Sequence, residues 1–302
     1  MVMGMAEKTV DVAIICYGEY EGLKKTIESV LKQTYTINTV LLSDDGSGKA
    51  FPRDILNLFN GASCQVKIRQ GESNLGTVAH MNAAAALLSS TYIKFMSPGD
   101  AFYDQNSLKS LVDFASKMQM EVVSSQTIVC DLDNYEQFYR YPGLLRCIAL
   151  RRSGKELFSL LAIENCISMV GSLFQRSFFC HGGFDENYFL LEDWPAWLRI
   201  ARSGGRVPCL HKVTTLYPLG GISSSSGNAY RSEKLNPDMR RCYEKEIIPF
   251  CEQFSWWVRR VIHYKYVVLC GSRGREIWKQ YPVLYLIDAL KFRLKQLLIN
   301  SK

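Results

Sequence analysis

The chain lacks any run of about 18 consecutive apolar residues, the length a membrane-spanning helix requires, so no transmembrane segment is expected. Residues 1–9 place Glu7 and Lys8 ahead of only a short apolar run, so no signal peptide is expected either. The ten cysteines contain no C-x-x-C pair, and none of the four histidines stands at zinc-finger spacing, which removes the zinc-module classes. Several cysteines sit inside strongly apolar stretches, Cys16 after Val12-Ala13-Ile14-Ile15 among them. They read as buried free thiols in a reducing compartment, which points to the cytoplasm. The sequence has no internal repeat, so solenoid and propeller architectures drop out.

What is present is an ordinary globular composition: 302 residues, 47 % apolar and 22 % charged. That is enough chain for one large domain or two small ones at roughly 150 residues each. The net charge of +7 is concentrated at one end. Residues 1–239 hold 23 Lys and Arg against 24 Asp and Glu, whereas residues 240–302 hold 13 against 5 and also carry Trp256, Trp257 and Trp278. A basic, aromatic segment of this kind suits an anionic surface.

From Val10 to Asp131, β-rich runs alternate with helical patterns, the signature of βαβ units and a mostly parallel sheet. Strands are predicted at Val10–Cys16, Val40–Ser43, Val66–Arg69, Tyr92–Met96 and Val122–Val129. Helices are predicted at Leu23–Leu31, Thr77–Leu88 and Leu108–Met118, each with an apolar stripe at 3.6-residue spacing. Gly143–Leu161 is basic and reads as a loop plus a short helix. Glu192–Ser203 reads as a helix stopped by Gly204-Gly205, Val207–Leu210 as a strand, and the serine-rich stretch Gly220–Asn228 as a flexible loop.

In an open parallel sheet, ligands bind beyond the carboxyl ends of the strands. Here those ends are polar: Tyr17-Gly18-Glu19, Asp44-Asp45-Gly46-Ser47 and Ser97-Pro98-Gly99-Asp100. Each has an ordinary structural explanation. Asp-Gly-Ser builds an Asx-turn, and Asp100 or Asp104 can cap downstream amides. The adjacent carboxylates Glu192 and Asp193 open a helix, where the macrodipole favours acids. Against that last explanation, the nearby Tyr188, Phe189, Trp194 and Trp197 would desolvate a carboxylate and suit it to proton abstraction.

Taken together and in order, these elements resemble the inverting nucleotide-sugar glycosyltransferases of family 2, with the GT-A fold, over roughly residues 10–225. The resemblance rests on Leu23–Leu31 followed by Gln33-Thr34-Tyr35, Asp44-Asp45-Gly46-Ser47, Asn74-x-Gly76 and Met81-Asn82. It continues through Phe95–Asp100, Gly182–Glu186, Glu192-Asp193 and Gly220-Gly221-Ile222-Ser223. It implies a Rossmann-like, mostly parallel central sheet flanked by helices, with a GT-A catalytic domain at 1–235 and a C-terminal helical extension at 236–302.

By that resemblance Tyr17, Glu19, Asp44, Asp45, Asn74, Asn82 and Gly99 surround the donor, and Asp100 binds Mn²⁺ or Mg²⁺. Asp193, supported by Glu192, is the general base. Where relatives carry Asp-x-Asp, this chain has Ser97-x-Gly99 and then Asp100, as in a subgroup with an x-x-Gly-Asp motif. The implied reaction moves a hexose or N-acetylhexosamine from a nucleoside diphosphate sugar, UDP by resemblance, to a glycan acceptor. That acceptor is expected to be lipid-linked, as in surface polysaccharide assembly. Two other classes stand beside this one: a sugar nucleotidyltransferase, which the lack of a Gly-rich, Arg-containing loop after the first strand disfavours, and a catalytically silent glycan-binding scaffold.

On a helix spanning Val283–Ser301, the residues Val283, Leu286, Ile287, Leu290, Leu294, Leu297 and Leu298 share one face, flanked by Lys291 and Arg293. Such a stripe either packs on the catalytic domain or lies in an anionic membrane interface, where Trp256-Trp257-Val258-Arg259-Arg260 would also fit. Residues 251–302 are accordingly the expected membrane-facing part of a peripheral protein on the inner face of the plasma membrane. No nucleic-acid-binding module is recognisable.

Overall fold

The computed structural model describes residues 8–18, 20–219, 233–271 and 275–300, the side chains of 292 and 295–300 excepted. Glu19, the loop Gly220–Asn228, and the side chains of Phe292, Leu297 and Leu298 therefore lie outside the described residues.

Among those residues, nine strands form one curled sheet in the order β3-β2-β1-β4-β8-β6-β9-β5, with β7 pairing beside β6. The strands are β1 (Val10–Cys16), β2 (Ile37–Asp44), β3 (Gln65–Gln70), β4 (Tyr92–Met96), β5 (Ala101–Phe102), β6 (Val122–Cys130), β7 (Gln137–Tyr141), β8 (Leu173–Gln175) and β9 (Cys209–Pro218). The ladders β2–β3, β1–β2 and β1–β4 are parallel, as is β6–β9. The short β8 runs antiparallel to both β4 and β6 and joins the two parallel blocks.

The helices are α1 (Leu23–Leu31), α2 (Arg53–Asn57), α3 (Thr77–Ala86), α4 (Ser107–Met118), α5 (Leu144–Ala149), α6 (Gly154–Ile163), α7 (Arg176–Cys180), α8 (Asp193–Arg202), α9 (Asn236–Cys242), α10 (Trp256–Leu269), α11 (Arg275–Gln280) and α12 (Pro282–Asn300).

Layering follows from the alternation of side chains along a strand. Val10, Val12 and Ile14 of β1 turn to one face, where they pack with Leu23, Ile27 and Val30 of α1 and with Leu108, Leu111 and Val112 of α4. Ala13 turns to the other face, into a second cluster with Val78, Met81 and Ala84 of α3 and with Phe95, Phe174, Trp194 and Trp197. Phe174 stacks on Trp197 at 5.9 Å between centroids, so α8 is held flat on the sheet. Being covered on both faces explains why the parallel strands are near-continuous apolar runs.

Two expectations change. The basic stretch Gly143–Leu161 forms two helices, α5 and the greater part of α6, because Leu157, Phe158 and Leu161 enter the core. The predicted strand Val207–Leu210 is longer and displaced to Cys209–Pro218, since it pairs along most of β6. Met239, Cys242, Tyr243, Ile247, Phe254 and Ile262 of the C-terminal segment belong to the same cluster as Ala13 and Trp194. Beyond them α10, α11 and α12 share a small cluster of their own around Val261, Tyr264, Ile277, Tyr281 and Leu284. All ten cysteines are free, six of them buried. Among the described residues no helix is long and apolar enough to cross a membrane.

Candidate active site

The turn after β2 is built by its first carboxylate. Asp44 is 1 % exposed and accepts from the Ser47 backbone N–H (2.8 Å), from the Ser47 hydroxyl and from the Tyr20 hydroxyl (3.1 Å). The Asx-turn explanation therefore holds for Asp44, and the donor role expected of it has no exposed oxygen to act through. Gly46 has φ +80°, and a Cβ there would lie 2.5 Å from the Ser73 backbone, so this tight approach admits only glycine.

Asp45 differs. Its N–H donates to Cys16 O (3.0 Å), which sets it beside the half-exposed Tyr17. Oδ2 accepts from the N–H groups of Leu75 and Gly76, both at 3.0 Å. Oδ1 is buried without a hydrogen-bond partner. Burial pushes this carboxyl above its usual range, and the two amides pull it back. An acceptor oxygen left unpaired in a buried position costs free energy until a ligand donor reaches it.

Asn74 is exposed, and its side-chain oxygen accepts from Gly76 N–H (2.8 Å). At Gly76, φ is +82° and a Cβ would meet the Phe189 ring at 2.5 Å. Val78 N–H also donates to Phe189 O (3.4 Å). The loop that leads to α8 thus closes directly on the start of α3, bringing the Asp45 region and the Glu192-Asp193 region together.

Asn82 holds that same loop. It donates to Phe184 O (2.8 Å) and Glu186 Oε1 (3.0 Å) and accepts from Phe184 N–H (3.0 Å). With both ends of its amide engaged, Asn82 clamps this loop. Gly99 likewise faces the chain: its N–H donates to Thr26 Oγ1 (2.9 Å) and its carbonyl accepts from Tyr135 OH (2.8 Å).

Asp100, the residue expected to bind the metal, spends one carboxylate oxygen within its own turn. Asp100 is 4 % exposed, and its Oδ2 accepts from Ser97 N–H (2.7 Å), closing the turn on itself. Beneath it lies Lys94, wholly buried, whose ammonium donates to Phe95 O (3.2 Å) and Val170 O. Burial drives the Asp100 carboxyl up and the Lys94 ammonium down, and each charge partly restores the other. Ser97 and Gly99 add no anionic ligand, and among the described residues no group of three or more His, Cys, Asp or Glu could hold a metal.

At the start of α8, Asp193 and Glu192 are partly exposed. Asp193 Oδ1 accepts from Trp194 N–H (2.5 Å) and Oδ2 from the Asn165 amide (2.9 Å). Burial raises the Asp193 carboxyl while these donors favour its ionised form. Glu192 is raised by burial and then by the charge of Asp193. Burial thus disfavours the charge of both carboxyls, and the donors to Asp193 favour its anion. Of the expected aromatic shell, Tyr188, Trp194 and Trp197 are buried behind the pair, and Phe189 is half exposed.

Two residues here escape sequence reading. Asn165, in the segment after α6, orients Asp193. Asp238 of α9 accepts from the N–H groups of Phe189 (2.9 Å), Leu190 (2.5 Å) and Leu191 (3.1 Å), fixing the approach to Glu192. Asp238 sits beside Pro237 at a helix start, where an acid passes for an ordinary first-turn residue.

A curled, mostly parallel sheet with carboxylates at its strand ends and an acidic pair opening a helix beside them defines a glycosyltransferase of GT-A architecture. The chain belongs to glycosyl transferase family 2, whose model matches residues 11–181, more than half of its length. Members of the family generally use a divalent metal. A processive diacylglycerol beta-glycosyltransferase from Mycoplasma pneumoniae is 23 % identical over 147 residues, which are 48 % of this chain and 41 % of that protein. The matched part thus spans less than half of that relative.

Among solved structures, S. aureus TarS 1-349 superposes with a TM-score of 0.54 at 13 % identity, covering 87 % of this chain and 81 % of that one. The same fragment in complex with UDP-GlcNAc gives 0.53 at 12 % identity, covering 97 % and 91 %. These likenesses establish the fold. The family match favours a glycosyltransferase over the nucleotidyltransferase.

Proposed function

We propose that the protein transfers a hexose or N-acetylhexosamine from a uridine diphosphate sugar to a lipid-linked glycan acceptor, with inversion at the anomeric carbon. The observation that carries this reading is the buried, unpartnered Asp45 Oδ1 beside Tyr17. An imide N–H on a pyrimidine edge supplies the missing donor, while the exposed Tyr17 ring offers a face for the base. The fold shared with TarS, a protein crystallised with UDP and with UDP-GlcNAc, supports a uridine nucleotide. The relative named for diacylglycerol supports a lipid acceptor.

Asp193 then removes the proton from the acceptor hydroxyl as that oxygen attacks the anomeric carbon. The bond from that carbon to the diphosphate oxygen breaks, and the nucleoside diphosphate leaves with the electron pair. Asn165 and Trp194 N–H keep Asp193 ionised and oriented, and Asp238 fixes the loop that presents it. The reading puts this reaction at the cytoplasmic face of an anionic membrane, with residues 251–302 toward it, and the ten free thiols are compatible with a reducing compartment.

The test is a thermal-shift panel of nucleotide sugars with and without Mn²⁺, followed by nuclear magnetic resonance of the anomeric configuration of the product. Stabilisation by one UDP-sugar and an inverted product are expected. A preference for guanosine or cytidine donors, or a retained configuration, overturns the reading.

A further inference from the structure

The apolar stripe on α12 had two possible fates, and the structure separates them. The inner side of the helix packs through Leu284, with Tyr281 just ahead of it, against Val261, Tyr264 and Ile277. One turn on, Asp288 accepts from Tyr264 OH (3.1 Å). The stripe itself faces away from this cluster. Val283, Leu286, Ile287, Leu290 and Leu294 remain between 39 % and 60 % exposed, so among the described residues five large apolar side chains on one face are left largely uncovered. Laid at about 100° per residue, Lys291 and Arg293 fall on opposite edges of that face, and both are exposed.

The surroundings carry charge of one sign. Residues 256–294 hold eight Lys and Arg against only Glu276 and Asp288. Trp256 and Trp257 are also exposed, and the Arg260 guanidinium lies 5.8 Å from the Trp256 ring. A second copy of the chain seated on α12 would set these cations against their own kind, at a cost in repulsion. A bilayer of anionic phospholipid offers the complementary charge and takes up the stripe below its headgroups.

We infer that α12 docks in the plane of an anionic phospholipid surface, with Val283, Leu286, Ile287, Leu290 and Leu294 entering the acyl boundary and Lys291 and Arg293 engaging headgroup phosphates. For its purpose this rests on the reading of a lipid-linked acceptor. Vesicle binding itself requires no transfer chemistry.

The experiment is cosedimentation of the whole chain with vesicles of phosphatidylglycerol or of phosphatidylcholine. Binding to phosphatidylglycerol that weakens as salt rises is expected, with little binding to phosphatidylcholine. Leu286→Glu with Leu290→Glu should weaken it about a hundredfold or more. Lys291→Glu with Arg293→Glu should weaken it about tenfold. These positions face solvent, so melting temperature and the thermal shift with UDP should stay at wild-type values in both variants. Equal binding to the two lipids, or leucine variants that bind like wild type, overturns the proposal. So does a dimer that the leucine variants dissociate while vesicle binding is unchanged, which would assign the face to a second copy. If vesicle binding behaves as expected but no UDP-sugar stabilises the protein, the donor reading fails and the docking surface stands.

Discussion

The turns after β2 and β4 carry similar sequences, Asp44-Asp45-Gly46-Ser47 and Ser97-Pro98-Gly99-Asp100, and both place carboxylates at the active edge of the sheet. Their hydrogen bonding sets them apart. At β2 the labour is divided: Asp44 builds the turn, and Asp45 keeps one oxygen unpaired. At β4 a single carboxylate closes its own turn through Ser97 N–H and answers the charge of Lys94 beneath it. Among these three carboxylates, Asp45 is the one with a buried oxygen left unpaired.

The sharpest experiments push on this contrast, beginning with the acid that should matter most. Asp193→Asn should lower kcat by about 10²- to 10⁴-fold, with the dissociation constant for UDP unchanged by calorimetry. Near-normal turnover would remove Asp193 from the chemistry.

Asp100→Ala should act on the fold. It removes the acceptor of Ser97 N–H and a carboxylate that favours the charge of buried Lys94, which costs about 1–3 kcal/mol, read by urea denaturation, while the Mn²⁺ dependence of activity keeps its wild-type midpoint. A shifted midpoint in a fully stable variant would reinstate Asp100 as a metal ligand and erase the contrast with Asp45.

At the β2 turn, Asp45→Asn replaces a charged acceptor and should cost about 1.5–3 kcal/mol of UDP affinity. Tyr20→Phe removes only a donor to the turn-building Asp44 and should leave that affinity within about threefold, since one neutral hydrogen bond contributes about 0.5–1.5 kcal/mol and acts here on the fold. Equal losses in the two variants would break the division of labour.

The smallest effect is a pH profile. Asn165 donates to the ionised form of Asp193, so Asn165→Ala should raise the pKa of that carboxyl. The loss then appears on the acidic side, with the rising limb of kcat displaced upward by about one pH unit. Burial raises the Asp193 carboxyl, and the remaining Trp194 N–H opposes it. A uniform drop at every pH would make Asn165 a structural residue only.

Elements read from local pattern matched well. β1 and β4 have the predicted limits, and α1 and α4 bury the predicted stripes. β7 and β8 were not foreseen, because strands of five and three residues are too short for a period to show. α6 was obscured by the basic residues at its approach, although Leu157, Phe158, Leu160 and Leu161 bury it. At the site, the acidic pair and the Asp45 turn were legible. The roles of Asn82, Asn165 and Asp238 were not, since each acts on a segment 28 to 104 residues away. His211 was read as a packed side chain and is exposed on β9, where strand alternation turns it outward.

The sequence by itself determined the order of strands and helices along the catalytic half, the family, and the positions of Asp45 and the Glu192-Asp193 pair. These follow from periodicity and from motifs a few residues long. Which carboxylates keep an unpaired oxygen, that Asp100 turns inward over Lys94, and that the stripe of α12 faces outward were decided by tertiary structure. Each depends on what another part of the chain brings alongside: an amide, an ammonium, or no apolar neighbour at all.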